Sequence, residues 1–213
     1  MLLLATAHVA TAQCRARQSS SPAAKRPLII NVRRAAIHKP PCPQQPRSTC
    51  ERAGSSRLVI KDSPDRTNSL VWKWRKGAAF AAADVGDPSG TTEYALCVYD
   101  SFEGVPLRMA SLAVEPGGGW SREASGVWKY KDAGGASAGV TSVLVKSGAT
   151  GKTTVRFQAT GKRLRLPSPA SRSRFFRKDG SVVVQLVQNS SDKCWTSTFT
   201  TAKVNSDESF VAP

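Results

Sequence analysis

Histidine is nearly absent from this chain of 213 residues: His8 and His38 are the two that occur, and none lies between Arg57 and Pro213. The body therefore has no Ser-His-Asp or Cys-His nucleophile arrangement and no imidazole for acid–base work. A Cys/His zinc site in the body is excluded by count. The five cysteines (Cys14, Cys42, Cys50, Cys97 and Cys194) include no Cys-x-x-Cys spacing. No run approaches the roughly 18–20 apolar residues of a membrane-spanning helix. Helical patterning is scarce as well; residues 77–84 are the one stretch that suits a helix, and it is short.

These absences leave a carboxylate pair or a Ser-Lys dyad as catalytic options. Most acids of the body fall in turns, where Asp bonds neighbouring backbone. Asp62-x-x-Asp65 with Asn68, and Asp84-x-x-Asp87, supply too few oxygens for calcium, which takes about 6–8. Gly148-Ala149-Thr150-Gly151-Lys152-Thr153 imitates a phosphate loop, but Lys146 stands where the first glycine belongs. The residues after it alternate like a strand, whereas phosphate cradling needs a helix N-terminus. It reads as a β-turn. No metal or cofactor is expected, and a carboxylate-pair hydrolase is the weakest alternative.

What the chain has in excess is positive charge, a formal net +16. Half of it sits in residues 1–56, with nine Lys/Arg against Glu51 alone. Residues 1–12 resemble the end of a truncated signal segment, with small residues at Ala10 and Ala12 but no basic start. Gln13 before Cys14 is a poor lipidation context. Residues 13–56 are rich in Pro, Ser and Arg and show no sustained apolar period. Such a segment buries too little surface to offset its ordering entropy, so it is expected to be a disordered basic arm.

From Arg57 the texture changes to short alternating segments separated by Gly, Pro, Asp and Ser. About nine strands are expected, near 57–62, 69–76, 92–100, 106–115, 126–131, 141–146, 153–160, 181–189 and 194–201. They predict an all-β fold: an antiparallel β-sandwich of jelly-roll or immunoglobulin-like type over 57–203, with a flexible tail at 204–213. Val71-Trp72-Lys73-Trp74-Arg75-Lys76 is echoed by Val127-Trp128-Lys129-Tyr130-Lys131-Asp132. The period of two puts Trp72, Trp74, Trp128 and Tyr130 on buried faces, and Lys73, Arg75, Lys129 and Lys131 on the opposite ones.

Two places suit a ligand. Arg163, Arg165, Arg172, Arg174, Arg177 and Lys178, interleaved with Phe175 and Phe176, form an acid-free stretch over 162–178 that suits a polyanion, weighed against a plain solvated loop. Trp120, after three glycines, is a candidate exposed contact, for example to a cell-surface glycan. Cys97 and Cys194 lie in strand-like segments far apart. A disulfide between them would close a long loop and suit export; two buried thiols are the other reading, and Cys42 and Cys50 form a small loop or nothing. Asn189-Ser190-Ser191 is a glycosylation sequon, meaningful in a eukaryotic secretory context.

Leu58-Val59-Ile60-Lys61-Asp62, Val71-Trp72-Lys73-Trp74, Tyr94-Ala95-Leu96-Cys97-Val98-Tyr99-Asp100, Trp128-Lys129-Tyr130-Lys131-Asp132, Gly148-Ala149-Thr150-Gly151-Lys152 and Val184-Gln185-Leu186-Val187 with Cys194-Trp195 together carry a resemblance. Over about residues 57–200 the chain resembles a β-rich module of functionally unassigned exported bacterial proteins of delta-proteobacterial type. The resemblance implies export to a bacterial envelope or medium, and a β-rich fold, with no reaction. The chain departs from the pattern around 117–125, which has no cysteine, and at 133–136, which has no acid. The expectation is an exported, non-enzymatic binding or structural module. The rival is polyanion binding through the basic arm and the 162–178 loop.

Overall fold

Alternation becomes strand almost everywhere it was expected. The computed structural model describes residues 42–62, 68–123, 126–166 and 181–213. Its strands are β1 (Glu51–Arg52), β2 (Ser55–Lys61), β3 (Ser69–Arg75), β4 (Tyr94–Phe102), β5 (Val105–Val114), β6 (Trp120–Glu123) and β7 (Val127–Lys131). They continue as β8 (Val140–Lys146), β9 (Thr154–Thr160), β10 (Val182–Gln188), β11 (Cys194–Phe199), β12 (Val204–Asn205) and β13 (Ser209–Ala212). The expected helical stretch yields one 3-10 turn, Ala82–Val85. All nine expected strands are present. The four that the sequence pattern did not reveal, β1, β6, β12 and β13, span two to four residues each, too few to show a period.

The strands form a five-stranded sheet in the order β1-β11-β10-β4-β5 and an eight-stranded sheet in the order β12-β13-β2-β3-β9-β8-β7-β6. Every pairing is antiparallel except β1 with β11. β6 to β9 run as a meander. β4 and β5 are joined by the tight turn Glu103-Gly104, whose φ values of 53° and 78° match the twist of the two strands.

The inner faces of the two sheets share one core. Leu58, Leu70, Trp72, Trp74 and Phe157 of the larger sheet pack with Tyr94, Leu96, Val184 and Trp195 of the smaller. Trp72 Nε1 donates to Ser197 Oγ across the sandwich at 3.0 Å, which satisfies the indole that burial would otherwise strand. Trp195 lies 5.1 Å from Phe80 and 6.2 Å from Tyr94, ring centre to ring centre. The echoed aromatics are therefore core, as their alternation with cations implied.

A second cluster lies on the other face of the five-stranded sheet: Cys42, Cys50, Ala95, Cys97, Tyr99, Val187 and Cys194. Residues 42–50 run over that face as a strap. Disulfides Cys42–Cys97 and Cys50–Cys194 pin its two ends. Between them the buried Gln185 accepts from Arg47 N at 2.9 Å and donates Nε2 to Arg47 O at 2.7 Å. Tyr99 Oη donates to Pro43 O at 3.0 Å, and Arg108 donates to Cys42 O. Burial pushes the Tyr99 phenol up to about 12, with Arg108 and Arg47 pulling the other way.

Three expectations are corrected here. Cys97 and Cys194 are not bonded to each other. β10 runs between their strands, with Cys97 opposite Gln185 and Cys194 opposite Val187. Two strand spacings of about 4.8 Å exceed the Cα separation of about 4.4–6.8 Å that a disulfide tolerates. The disorder expected over 13–56 does not hold for residues 42–56, which the strap, β1 and the start of β2 occupy. The tail is not loose throughout: β13 pairs with β2 and buries Phe210 and Ala212.

Peptide mapping of the unreduced protein is expected to recover Cys42 linked to Cys97, and Cys50 linked to Cys194. Replacing Cys50 and Cys194 by Ser together opens a link between residues 144 apart. It is expected to lower unfolding stability by about 2–5 kcal/mol in urea titration. An unchanged midpoint counts against the strap as a structural element.

Candidate functional site: a basic sheet face

The two sheets differ sharply in charge. The five-stranded sheet carries Glu51, Arg52, Asp100 and Arg108, which balance. The strands of the eight-stranded sheet carry nine Lys/Arg and one acid, Glu123. Period two sends eight of those cations to the outer face. The ninth, Arg122, lies 5.8 Å from the centre of the Trp128 ring.

Register turns alternation into a row. Arg57 on β2 stands opposite Lys73 on β3, and Lys73 opposite Arg156 on β9. The row continues through Leu144 on β8 to Lys129 on β7. A flanking row, one pleat along, runs Ser55, Arg75, Thr154 and Lys146. Arg57, Arg75, Lys146 and Arg156 are exposed, and Lys73 and Lys129 are half-buried. Like charges directly opposite one another destabilise a sheet. Here three cations follow in succession, and among the described residues neither of the ion pairs Lys129–Glu123 and Lys193–Glu51 reaches them. A groove of about 240 Å³ opens between these strands, lined by Lys73, Arg75, Leu144, Thr154, Val155 and Arg156.

Trp120 is corrected from exposed contact to core. It is 6% exposed, its ring lies 5.4 Å from Tyr94 and 5.4 Å from Tyr130, and its Nε1 donates to Glu115 O at 3.2 Å. The glycines before it signal close approach rather than display. A Cβ on Gly119 would sit 2.3 Å from the Tyr130 ring, so only glycine lets the chain enter β6 there. Arg163 and Arg165 are exposed, and Arg163 donates to Gly134 O at 3.2 Å. Arg172, Arg174, Phe175, Phe176, Arg177 and Lys178 lie outside the described residues.

Asp84, Asp87 and Asp132 are engaged locally. Asp84 Oδ2 accepts from Ala81 N, and Asp87 Oδ1 from Ser89 N and Oγ. Asp132 accepts from Ala136 N at 2.6 Å and Gly134 N at 2.9 Å, and these N–H groups hold its carboxyl below the usual range. Among the described residues no group of three or more His, Cys, Asp or Glu is placed to hold a metal ion. A second groove, beside Phe80, Ser147 and Gly148, has Asp84 as its single carboxylate, so neither groove brings two carboxylates together. The phosphate-loop imitation is a turn: Gly148 exchanges backbone bonds with Phe80, and the chain enters β9 rather than a helix.

No protein-family model, no curated protein and no solved structure matches the chain. Sequence reading placed Lys73, Arg75, Lys129 and Lys131 outward, yet missed that β2, β3 and β9 are neighbours. Strand order was the missing information.

Two substitutions separate core from surface. Trp120→Ala is expected to cost about 3–5 kcal/mol of unfolding stability; a loss under 1 kcal/mol by urea titration contradicts its core placement. Lys73→Glu relieves two like-charge contacts and is expected to stabilise the protein, by a few tenths to about 1 kcal/mol at low salt, fading as salt rises. A destabilisation by Lys73→Glu contradicts the cation row.

Proposed function

We propose that the chain is an exported, non-enzymatic binding module whose partner is an anionic macromolecule. The observation that carries this reading is the asymmetry of charge: one sheet is balanced, while the other presents cations in register with a single paired acid. Repulsion of this kind lowers stability, and an arriving polyanion relieves it by releasing its own counterions. The two disulfides are consistent with an extracellular protein. The resemblance to exported bacterial modules supports a bacterial envelope or medium as the place. Among the described residues the sheet face supplies aligned charges, beside the basic 162–178 stretch expected from sequence, most of which lies outside them.

Retention of the disulfide-bonded protein on immobilised heparin and on DNA at rising sodium chloride tests the reading. Binding is expected at low ionic strength, with the affinity falling linearly with salt on logarithmic axes. No retention on either matrix at low salt overturns it.

A further inference from the structure

We infer that the outer face of the eight-stranded sheet binds a linear acidic polysaccharide, laid across the strands along Arg57, Lys73 and Arg156 and seated in the groove beside them. This rests on the polyanion reading above and names its ligand and site.

The geometry selects among polyanions. Adjacent strands place successive row cations about 4.8 Å apart, and Lys129 extends the track to a span of roughly 19 Å from Arg57. That is a line of charge running perpendicular to the strands, suited to a chain with an anionic group on most of its units. The groove lined by Lys73, Arg75, Leu144, Thr154 and Arg156 combines three cations, a hydroxyl and an aliphatic floor. A carboxylated or sulfated sugar ring needs this mixture, because it offers anions and hydroxyls at its rim and C–H groups on its face.

Other polyanions fit less well. Single-stranded nucleic acid is gripped by aromatic side chains on which bases stack. Trp72, Trp74, Trp128, Tyr130 and Phe157 all point to the core, so the face offers cations without a stacking platform. Duplex DNA is read by an element that enters the major groove, about 12 Å wide, and this face is a sheet surface rather than a projecting helix or ribbon. A bilayer surface would meet the exposed cations but could not enter the groove. Disulfides persist in oxidising, extracellular surroundings, where acidic polysaccharides are abundant.

The other sheet gives no equivalent surface. Its outer face is crossed by the strap, and its charges cancel. The row is thus the feature of the described fold in which aligned cations, Arg57, Lys73 and Arg156, stand without an acid partner among the described residues.

The test uses the full-length, disulfide-bonded protein and the triple variant Arg57→Gln, Lys73→Gln, Arg156→Gln. Titration calorimetry with a size series of heparin oligosaccharides and with polygalacturonate covers sulfated and carboxylated chains. A double-stranded DNA and vesicles containing anionic lipid serve as the competing classes. The variant is expected to fold, because it removes like charges; an unchanged or raised melting temperature verifies that. Its affinity for the polysaccharides is expected to fall about tenfold or more, and its salt slope by roughly the number of cations removed. Oligosaccharides too short to reach from Arg57 to Arg156 are expected to lose most of the affinity. Unchanged polysaccharide affinity in the variant overturns the site while leaving a polyanion function in place elsewhere on the chain. Binding of DNA or vesicles in preference to both polysaccharides overturns the ligand class. Loss of binding to all four probes in the wild-type protein overturns the underlying reading itself.

Discussion

The covalent strap over the five-stranded sheet is the constraint on which the rest depends. A β-sandwich has two outer faces, and here the middle of one of them is covered. Cys42–Cys97 and Cys50–Cys194 fasten the ends of residues 42–50, and Gln185 clamps the middle by bonding both the N–H and the C=O of Arg47. The clamp uses a buried polar side chain where an apolar one would be expected, and it works because both of its amide ends are satisfied. With that face covered, the second hydrophobic cluster forms beneath the strap, and the eight-stranded sheet is left as the broad open surface.

The open surface gives up some stability. Large apolar residues face inward on β2, β3, β9 and β7, so the pleat drives Arg57, Lys73, Arg156 and Lys129 outward into one row. A fold selected for stability alone would alternate charge sign along such a row; here the one acid nearby, Glu123, stands off the row opposite Val127 and reaches Lys129 diagonally. The disulfides constrain the unfolded chain and offset this kind of loss without adding contacts to the exposed face. Stability is concentrated on one sheet and charge on the other.

Much of this was legible in the amino-acid sequence, and the limits have physical causes. Strong alternation at Trp72/Lys73/Trp74 and at Trp128/Lys129/Tyr130 fixed both the strands and their buried faces, because period two is a local property. The strap was illegible because residues 42–50 are ordered by sulfur and by backbone bonds to Gln185, neither of which leaves an apolar period. The cysteine pairing failed for a related reason: separation along the chain says nothing about β10 lying between β4 and β11. The burial of Trp120 was illegible because a run of glycines marks a display loop and a close approach alike; here Gly119 makes room for the Tyr130 ring. The cation row needed strand order, which no local pattern carries. Its members were visible one by one as outward residues, and only the register of β2, β3 and β9 assembled them.

The most direct test of the account is a residue-by-residue map of where a polyanion touches the protein. Amide chemical-shift changes on titrating a defined heparin oligosaccharide into isotopically labelled, disulfide-bonded protein supply that map. The account predicts that the largest changes cluster on β3 and β9 around Lys73, Arg75 and Arg156, with β2 and β7 at the margins and the strap unmoved. Changes confined to the strap or to segments outside the eight-stranded sheet would contradict it.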